Sequence, residues 1–532
     1  MEVLSPTDRP EPLAAEAALA GLAALVGPAH LLQGAALDAF AADIFDSRAR
    51  PLAMVAPASV EALQEVVRIA AAAGLPLLAR GGGASYTQGY LPGEDGALLV
   101  DMRRLDAIVE INEEDAWVTV EAGVTWAALD QALAARGWRT PFRGPFSGAV
   151  ATVGGTMAQH AVSHGTGAHG ISAASVTALD VVLADGSLLR TGAPLVGGPP
   201  FERHCGPDLT GLFLGDCGAF GIKARISLRL LRAQADHAAL SFGFDSWEAL
   251  HAGMRAAALE NVDDTHFGLD ASMVRGQLRR PRGIRDTLGI ARRIWRTTPG
   301  LRAPLSQLAR MALAGERGMG GWPYLVHYIV EGGSRREADA RAGRLRKALG
   351  AHGREIGNTI PTVVRSQPFE RMFHVLGPAG ERWVPVHGLL PHSRVAAFHA
   401  DLERLLANHA ETMRGQGVWI GTLVECVGSG GFMVELGLYW PDAASAYHRA
   451  VVDTATMAQL PLHAPNPVLH DWIAALRLEL IALYRSHGAV HFQLGKFYPY
   501  ASAMGQPGLR VVRALKAALD PQRRMNPGVL GL

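Results

Sequence analysis

Two glycine-dense segments, each adjoining a strand-like run, constrain this chain more than any other feature. The first is "LPLLARGGGASYTQGY" at residues 75–90, and the second is "PFSGAVATVGGTMAQHAVSHGTGAHG" at residues 145–170. Three successive glycines cost backbone entropy on folding, so Gly81, Gly82 and Gly83 fit a place where something lies against the main chain or where φ is positive. A turn of bare amides after a strand forms an anion-binding nest, and Ser85 adds a hydroxyl donor. A flexible turn is the competing reading of this segment alone. The pair of segments, each next to a strand, points to two walls around one extended ligand.

Within the second segment, Gly165, Gly167 and Gly170 have the G-x-G-x-x-G spacing of a dinucleotide fingerprint. That spacing has meaning only between a strand and a helix whose N-terminus holds phosphate. The residues that follow, "ISAASVTALDVVLADG", are strand-like, so a Rossmann reading fails.

The chain has 532 residues, 49% hydrophobic and 19% charged, enough for two or three domains with large cores. A formal net charge of +1 gives no global attraction to nucleic acid or to an anionic membrane. Cys205, Cys217 and Cys426 are too few and too scattered for a disulfide framework, which places the protein in a reducing compartment. The N-terminus carries acids and prolines where a secretory signal carries lysine or arginine. A cytoplasmic location is expected, with peripheral contact on the inner membrane face left open.

Four parts are expected: a helical segment at 1–47, a ligand-binding module at 48–232, a cap at 233–490 and a segment at 491–532 that returns to the module. In the module, Ser59 is the expected N-cap of "VEALQEVVRIAAAAG", and a helix should run from about Trp126 to near Gly137. In the cap, strand-like "PYLVHYIVEG" and "GGFMVELGLYW" alternate with helix-like "SRREADARAGRLRKALGAHG" and "SRVAAFHADLERLLANHAETMRGQG". That pattern predicts an antiparallel sheet covered by helices.

Four stretches, "PLLARGGGASYTQG", "TVGGTMAQHAVSHGTGAHGISAASVTALDVVLADG", "GPDLTGLFLGDCGAFGIKARISLRL" and "LDPQRRMNPGVL", carry a resemblance in order and spacing. They resemble the FAD-binding module of the vanillyl-alcohol oxidase and p-cresol methylhydroxylase family, the FAD-linked oxidases that include glycolate oxidase subunits and D-lactate dehydrogenases. The resemblance implies an α+β fold: a β-α-β subdomain plus an antiparallel-sheet subdomain, with an α+β substrate cap. It places Gly81, Gly82, Gly83, Ala84 and Ser85 around the FAD pyrophosphate, and Thr152, Gly154 and Gly155 on the second wall. It also places Gly170 and Ile171 beside the cofactor, Gly221 and Ile222 on the adenine side, and Asn526 near the isoalloxazine. Many relatives tether flavin through a histidine where this chain has Ala84, so non-covalent FAD is expected, with a tether from the cap left unassigned.

A flavin oxidoreductase needs a base near neutrality and often a cation for a substrate carboxylate. "RSHGAVHFQLGKFYPYA" at residues 485–501 gathers such groups, with His491 the expected base and Tyr498 the hydroxyl-orienting residue. Lys496 is read as a carboxylate or phosphate partner. Glu435, in an alternating strand, is a further candidate that shares a sheet face with Met433.

Hydroxy-acid dehydrogenases of the family carry metal-binding histidines where this chain has Cys426 and Met433, and Phe492 replaces a third histidine. A thioether and a lone thiol do not replace imidazole for a hard divalent ion, so no catalytic metal is expected. The leading functional reading is transfer of hydride from a small 2-hydroxy acid to flavin, with a quinone, a cytochrome or oxygen as electron acceptor. The alternative is oxidation of an aromatic or other bulky alcohol, which the similarity of "RWVPVHGLLPHSRV" to the aromatic-alcohol branch favours. A transferase of the alkylglycerone-phosphate synthase type is a third reading. Residues 275–302 hold nine arginines, Arg275 and Arg302 among them, and one acid, Asp286. Such a basic, apolar-interleaved segment suits either a solvated helix pair or an anionic membrane surface.

Overall fold

The computed structural model describes residues 12–47, 49–278, 321–369 and 372–532. Most of the arginine-rich segment, 279–302, lies outside the described residues.

Ser59 caps the helix Val60–Ala72, its hydroxyl accepting from the Ala62 amide at 3.1 Å. That helix connects the strand Ala53–Val55 to Leu77–Arg80, and both run parallel to Leu98–Asp101 between them. Leu31–Leu32 adds an antiparallel edge to this small sheet. The C-terminal segment returns to the same sheet: Leu77 donates to the Arg524 carbonyl and accepts from the Asn526 amide, each at 2.8 Å.

A second sheet is wholly antiparallel. Its order is Ile108–Asn112, Trp117–Glu121, Ile222–Arg229, Val176–Val182, Leu188–Arg190. The helix from Trp126 ends at Ala134, and Gly137, at φ +74°, lies in the turn beyond it. Gly165 and Gly170 bracket a four-residue helix with φ of +93° and +77°. At Gly167 a Cβ would lie 2.2 Å from Asp263 Oδ2, so the glycine admits the close approach of the cap. The spacing of these three glycines therefore reflects turn geometry and packing and not a Rossmann fold.

The cap holds a seven-stranded antiparallel sheet in the order Arg354–Ile356, Asp236–Phe244, Tyr324–Gly332, Thr265–Asp270, Trp419–Val427, Gly431–Trp440, Arg382–Pro391. One face packs under helices. Val384, Val386, Val434 and Leu436 share a core with Phe398, Leu476, Leu480 and Tyr484 from the helices Val395–Gln416 and Pro467–Ser486. Because side chains alternate along a strand, Trp383, His387, Glu425, Met433 and Glu435 fall on the other face. Register puts His387 and Leu423 on either side of Glu435, and Met433 beside Glu425.

The cap and the module are joined by a buried network of alternating charge. Arg139 meets Asp264 at 2.7 Å, Arg143 meets Asp130 at 3.1 Å and Glu331 at 3.3 Å, and Arg365 meets Glu331 at 2.9 Å. Among the described residues no helix is long and apolar enough to cross a membrane.

Candidate functional site

The two glycine-rich segments face one another across a groove. Gly81, Gly82, Gly83, Ala84 and Ser85 line one side, while Thr152, Gly154 and Gly155 line the other. Gly221 and Ile222 line it as well. At the floor the walls touch: a Cβ on Gly81 would lie 2.3 Å from Thr152 Oγ1, and one on Gly82 would lie 2.0 Å from the Val150 carbonyl oxygen. Thr152 caps the short helix Val153–Gln159 by accepting from the Gly155 amide at 3.2 Å.

The remaining residues expected at the cofactor sit behind the groove. Gly170 and Ile171 leave the short helix toward the module's core. Asn526 is buried, and its Nδ2 donates to the carbonyls of Gly89 at 2.7 Å and Cys217 at 2.6 Å, two residues that line the groove. It therefore shapes the wall through its neighbours.

The groove suits a dinucleotide on its own chemistry. Among the described residues, the amides of Gly81 through Ser85 donate no hydrogen bond within the protein, a run of bare donors that matches a pyrophosphate. The carbonyl of Gly83 is already occupied, accepting from Tyr90 at 3.1 Å and from Tyr447 of the cap at 2.8 Å. Lys223 lines the groove but is neutralised by Asp216. Ala84 offers no atom to bond a flavin covalently.

A polar cluster lies where the cap sheet meets the Ser85 end of the groove. His387 Nε2 donates to the Phe492 carbonyl at 2.9 Å, which leaves Nδ1 as the acceptor. The hydroxyls of Tyr498 and Tyr86 reach that one nitrogen at 3.3 and 3.4 Å. The Tyr498 oxygen also accepts from the His387 amide at 3.0 Å. Burial holds His387 neutral, lowering its pKa to about 3.

His491 donates from Nδ1 to the His387 carbonyl at 2.8 Å and stacks on Tyr498 at 4.5 Å between ring centroids. Its Nε2 is buried and has no partner among the described residues. Burial lowers the pKa of this imidazole. Two residues on, Gln493 lines the groove. The Glu435 and Glu425 side chains form no hydrogen bond among the described residues, and burial raises their pKa values to about 7 and about 8. The charge of Glu435 adds to the rise at Glu425.

Lys496 does not join this cluster. Its ammonium donates to the Leu91 carbonyl at 2.5 Å, on the module. Arg477 is also occupied, lying 3.7 Å from the Phe497 ring centroid and 4.0 Å from that of Phe45. Among the described residues no group of three or more His, Cys, Asp and Glu side chains is placed to hold a metal. The Cys426 thiol points to the Met254 carbonyl under the helices.

Sequence reasoning missed Tyr86, His387 and Glu425. Tyr86 follows the glycine run directly and Glu425 precedes Cys426, so adjacency to residues already singled out was the available signal.

Residues 51–192 match the family described as FAD binding domain. The chain is similar to the glycolate oxidase subunit GlcD of Bacillus subtilis (strain 168), 30% identical over 181 residues, which is 34% of this chain and 37% of that protein. It is 27% identical over 353 residues to an uncharacterized FAD-linked oxidoreductase of Mycobacterium tuberculosis (strain ATCC 25618 / H37Rv), covering 62% of this chain and 72% of that one. The fold is also that of 4-ethylphenol oxidase from Gulosibacter chungangensis in its isoeugenol complex. That likeness has a TM-score of 0.74 at 19% identity and covers 98% of each chain. The match to GlcD is thus confined to about a third of the chain, whereas the fold likeness covers 98% of it. Residues 51–192 therefore match an FAD binding domain, and the chain spans 37% of the length of the glycolate oxidase subunit it resembles.

Proposed function

We propose that the protein is an FAD-dependent oxidoreductase that oxidises the C–OH group of a neutral, aromatic alcohol. Bound FAD supplies the two-electron acceptor. His491 takes the hydroxyl proton at Nε2, since Nδ1 is committed to the His387 carbonyl and the lone pair at Nε2 is unused. That unused nitrogen, two residues from the groove wall, is the observation that carries the reading.

Tyr86 and Tyr498 orient the substrate. Both hydroxyls reach His387 Nδ1, which has a single lone pair, so one O–H is left over for a substrate oxygen. Glu425 and Glu435 lie on the same sheet face as His387, so deprotonation of either repels a substrate carboxylate. Lys496 is held by a carbonyl away from the cluster, and Arg477 by two aromatic rings. This arrangement favours a neutral alcohol over a 2-hydroxy acid.

The hydroxy-acid reading is favoured by similarity to the glycolate oxidase subunit, which covers 34% of this chain. Turnover of benzyl alcohol against mandelate, which differ by one carboxylate on the carbinol carbon, separates the two. Preference for benzyl alcohol is expected, and preference for mandelate would restore the hydroxy acid.

A further inference from the structure

Arg80 closes the strand Leu77–Arg80 and immediately precedes the glycine run. It lines the groove, yet the residue is only 4% exposed. A buried guanidinium normally has a carboxylate partner, because taking the charge out of water is costly. Arg80 forms no ion pair with any described carboxylate, and its Nε has no hydrogen-bond partner among the described residues. What it has is a weak contact to the Gly81 carbonyl at 3.4 Å and two aromatic faces, Phe40 at 4.8 Å and Tyr90 at 5.2 Å. Cation–π contacts offset part of the desolvation but supply no negative charge.

The chain is built to keep this cation beneath the glycine loop. The guanidinium curls back so closely that a Cβ on Gly83 would lie 2.1 Å from Arg80 Nη2, and Gly83 has φ +72°. Tyr90 packs on the guanidinium and also donates to the Gly83 carbonyl, while Tyr447 donates to the same oxygen from the cap. The carbonyl is thereby occupied, and the guanidinium lies against the same loop that carries the bare amides.

We propose that Arg80 is the counter-charge for the FAD pyrophosphate, a side-chain contact added to the backbone nest. Tyr90 and Tyr447 are positioning residues that fix its loop. This rests on the assignment of the groove to FAD.

The test is the rate at which flavin leaves the holoenzyme on dilution, at low and high salt, followed by the recovery of free-flavin fluorescence. Arg80→Met is expected to weaken retention by about tenfold to a hundredfold, the range for a hydrogen bond to a charged group. The same change should flatten the dependence on salt, because the screened ion pair is gone. Arg80→Lys should retain part of both. Equal release and equal salt dependence in wild type and Arg80→Met would overturn the proposal while leaving the groove assignment standing. A wild-type protein that retains no flavin would overturn both. Should Arg80→Met fail to fold, Arg80→Lys carries the test through phosphorus NMR of the bound FAD. Displaced pyrophosphate resonances are expected, and resonances identical to wild type would overturn the proposal.

Discussion

His491 donates from Nδ1 to the carbonyl of His387, a bond of 2.8 Å that fixes which imidazole nitrogen is left to act as a base. Replacing His491 with Gln keeps a donor toward that carbonyl and removes the basic nitrogen. Anaerobic flavin reduction in His491→Gln is expected to slow by about 10²- to 10⁴-fold, the usual worth of a positioned general base. Stopped-flow absorbance of the flavin measures it, and an unchanged rate would rule the assignment out.

The pH dependence of the same rate separates His491 from Glu435. The imidazole pKa is lowered by burial, so with His491 as base the rate is already at its plateau by neutrality and falls only in acid. Glu435 is raised to about 7. If its ionisation governed the rate, the rise would be centred there and would vanish in Glu435→Gln.

Glu425 and Glu435 also make the fold sensitive to base. Each holds its proton more tightly folded than unfolded, so between about pH 4.5 and 8 the native state carries more bound protons and stability falls as pH rises. Thermal unfolding of the flavin-free protein is expected at lower temperature at pH 9 than at pH 6. Glu425→Gln should flatten that dependence, and a flat wild-type curve would show that the two carboxyls titrate normally.

Gly82 and Gly343 form a controlled pair. A Cβ on Gly82 would lie 2.0 Å from the Val150 carbonyl oxygen and force the two walls apart, whereas Gly343 lies in the helix Arg335–Gly350 with nothing within 4 Å of a Cβ. Gly82→Ala is expected to lose FAD and unfold at lower temperature. Gly343→Ala should be stabilising by about 0.5–1 kcal/mol, because alanine restricts the unfolded chain and favours the helix. Calorimetry of the two variants checks both signs.

Arg365 lies in the ion network between cap and module. Arg365→Ala leaves Glu331 with less compensating charge in a buried place, and about 3–5 kcal/mol of stability is expected to be lost. Urea unfolding with separate probes in module and cap should then resolve two transitions if this network couples them.

The module was legible in the sequence because its determinants are local: a capped helix, a strand and a glycine run within about forty residues. The cap sheet was legible from strand and helix periodicity. The site was less so. Tyr86 and His387 meet across 301 positions of sequence, and no local pattern reports such a pairing. Proximity in the chain groups Lys496 with His491, but the turn between them sends its ammonium to Leu91. Arg80 was hidden for a different reason: a strand-terminal arginine reads as solvent-exposed until the ring of Phe40 is placed over it.

The most direct test of the account is the visible absorption of the purified, FAD-loaded protein, recorded anaerobically before and after 4-hydroxybenzyl alcohol and, separately, D-lactate. The flavin band is expected to bleach with the aromatic alcohol and to persist with D-lactate. Bleaching by D-lactate alone would contradict the assigned substrate class, and a protein that takes up no FAD would contradict the site itself.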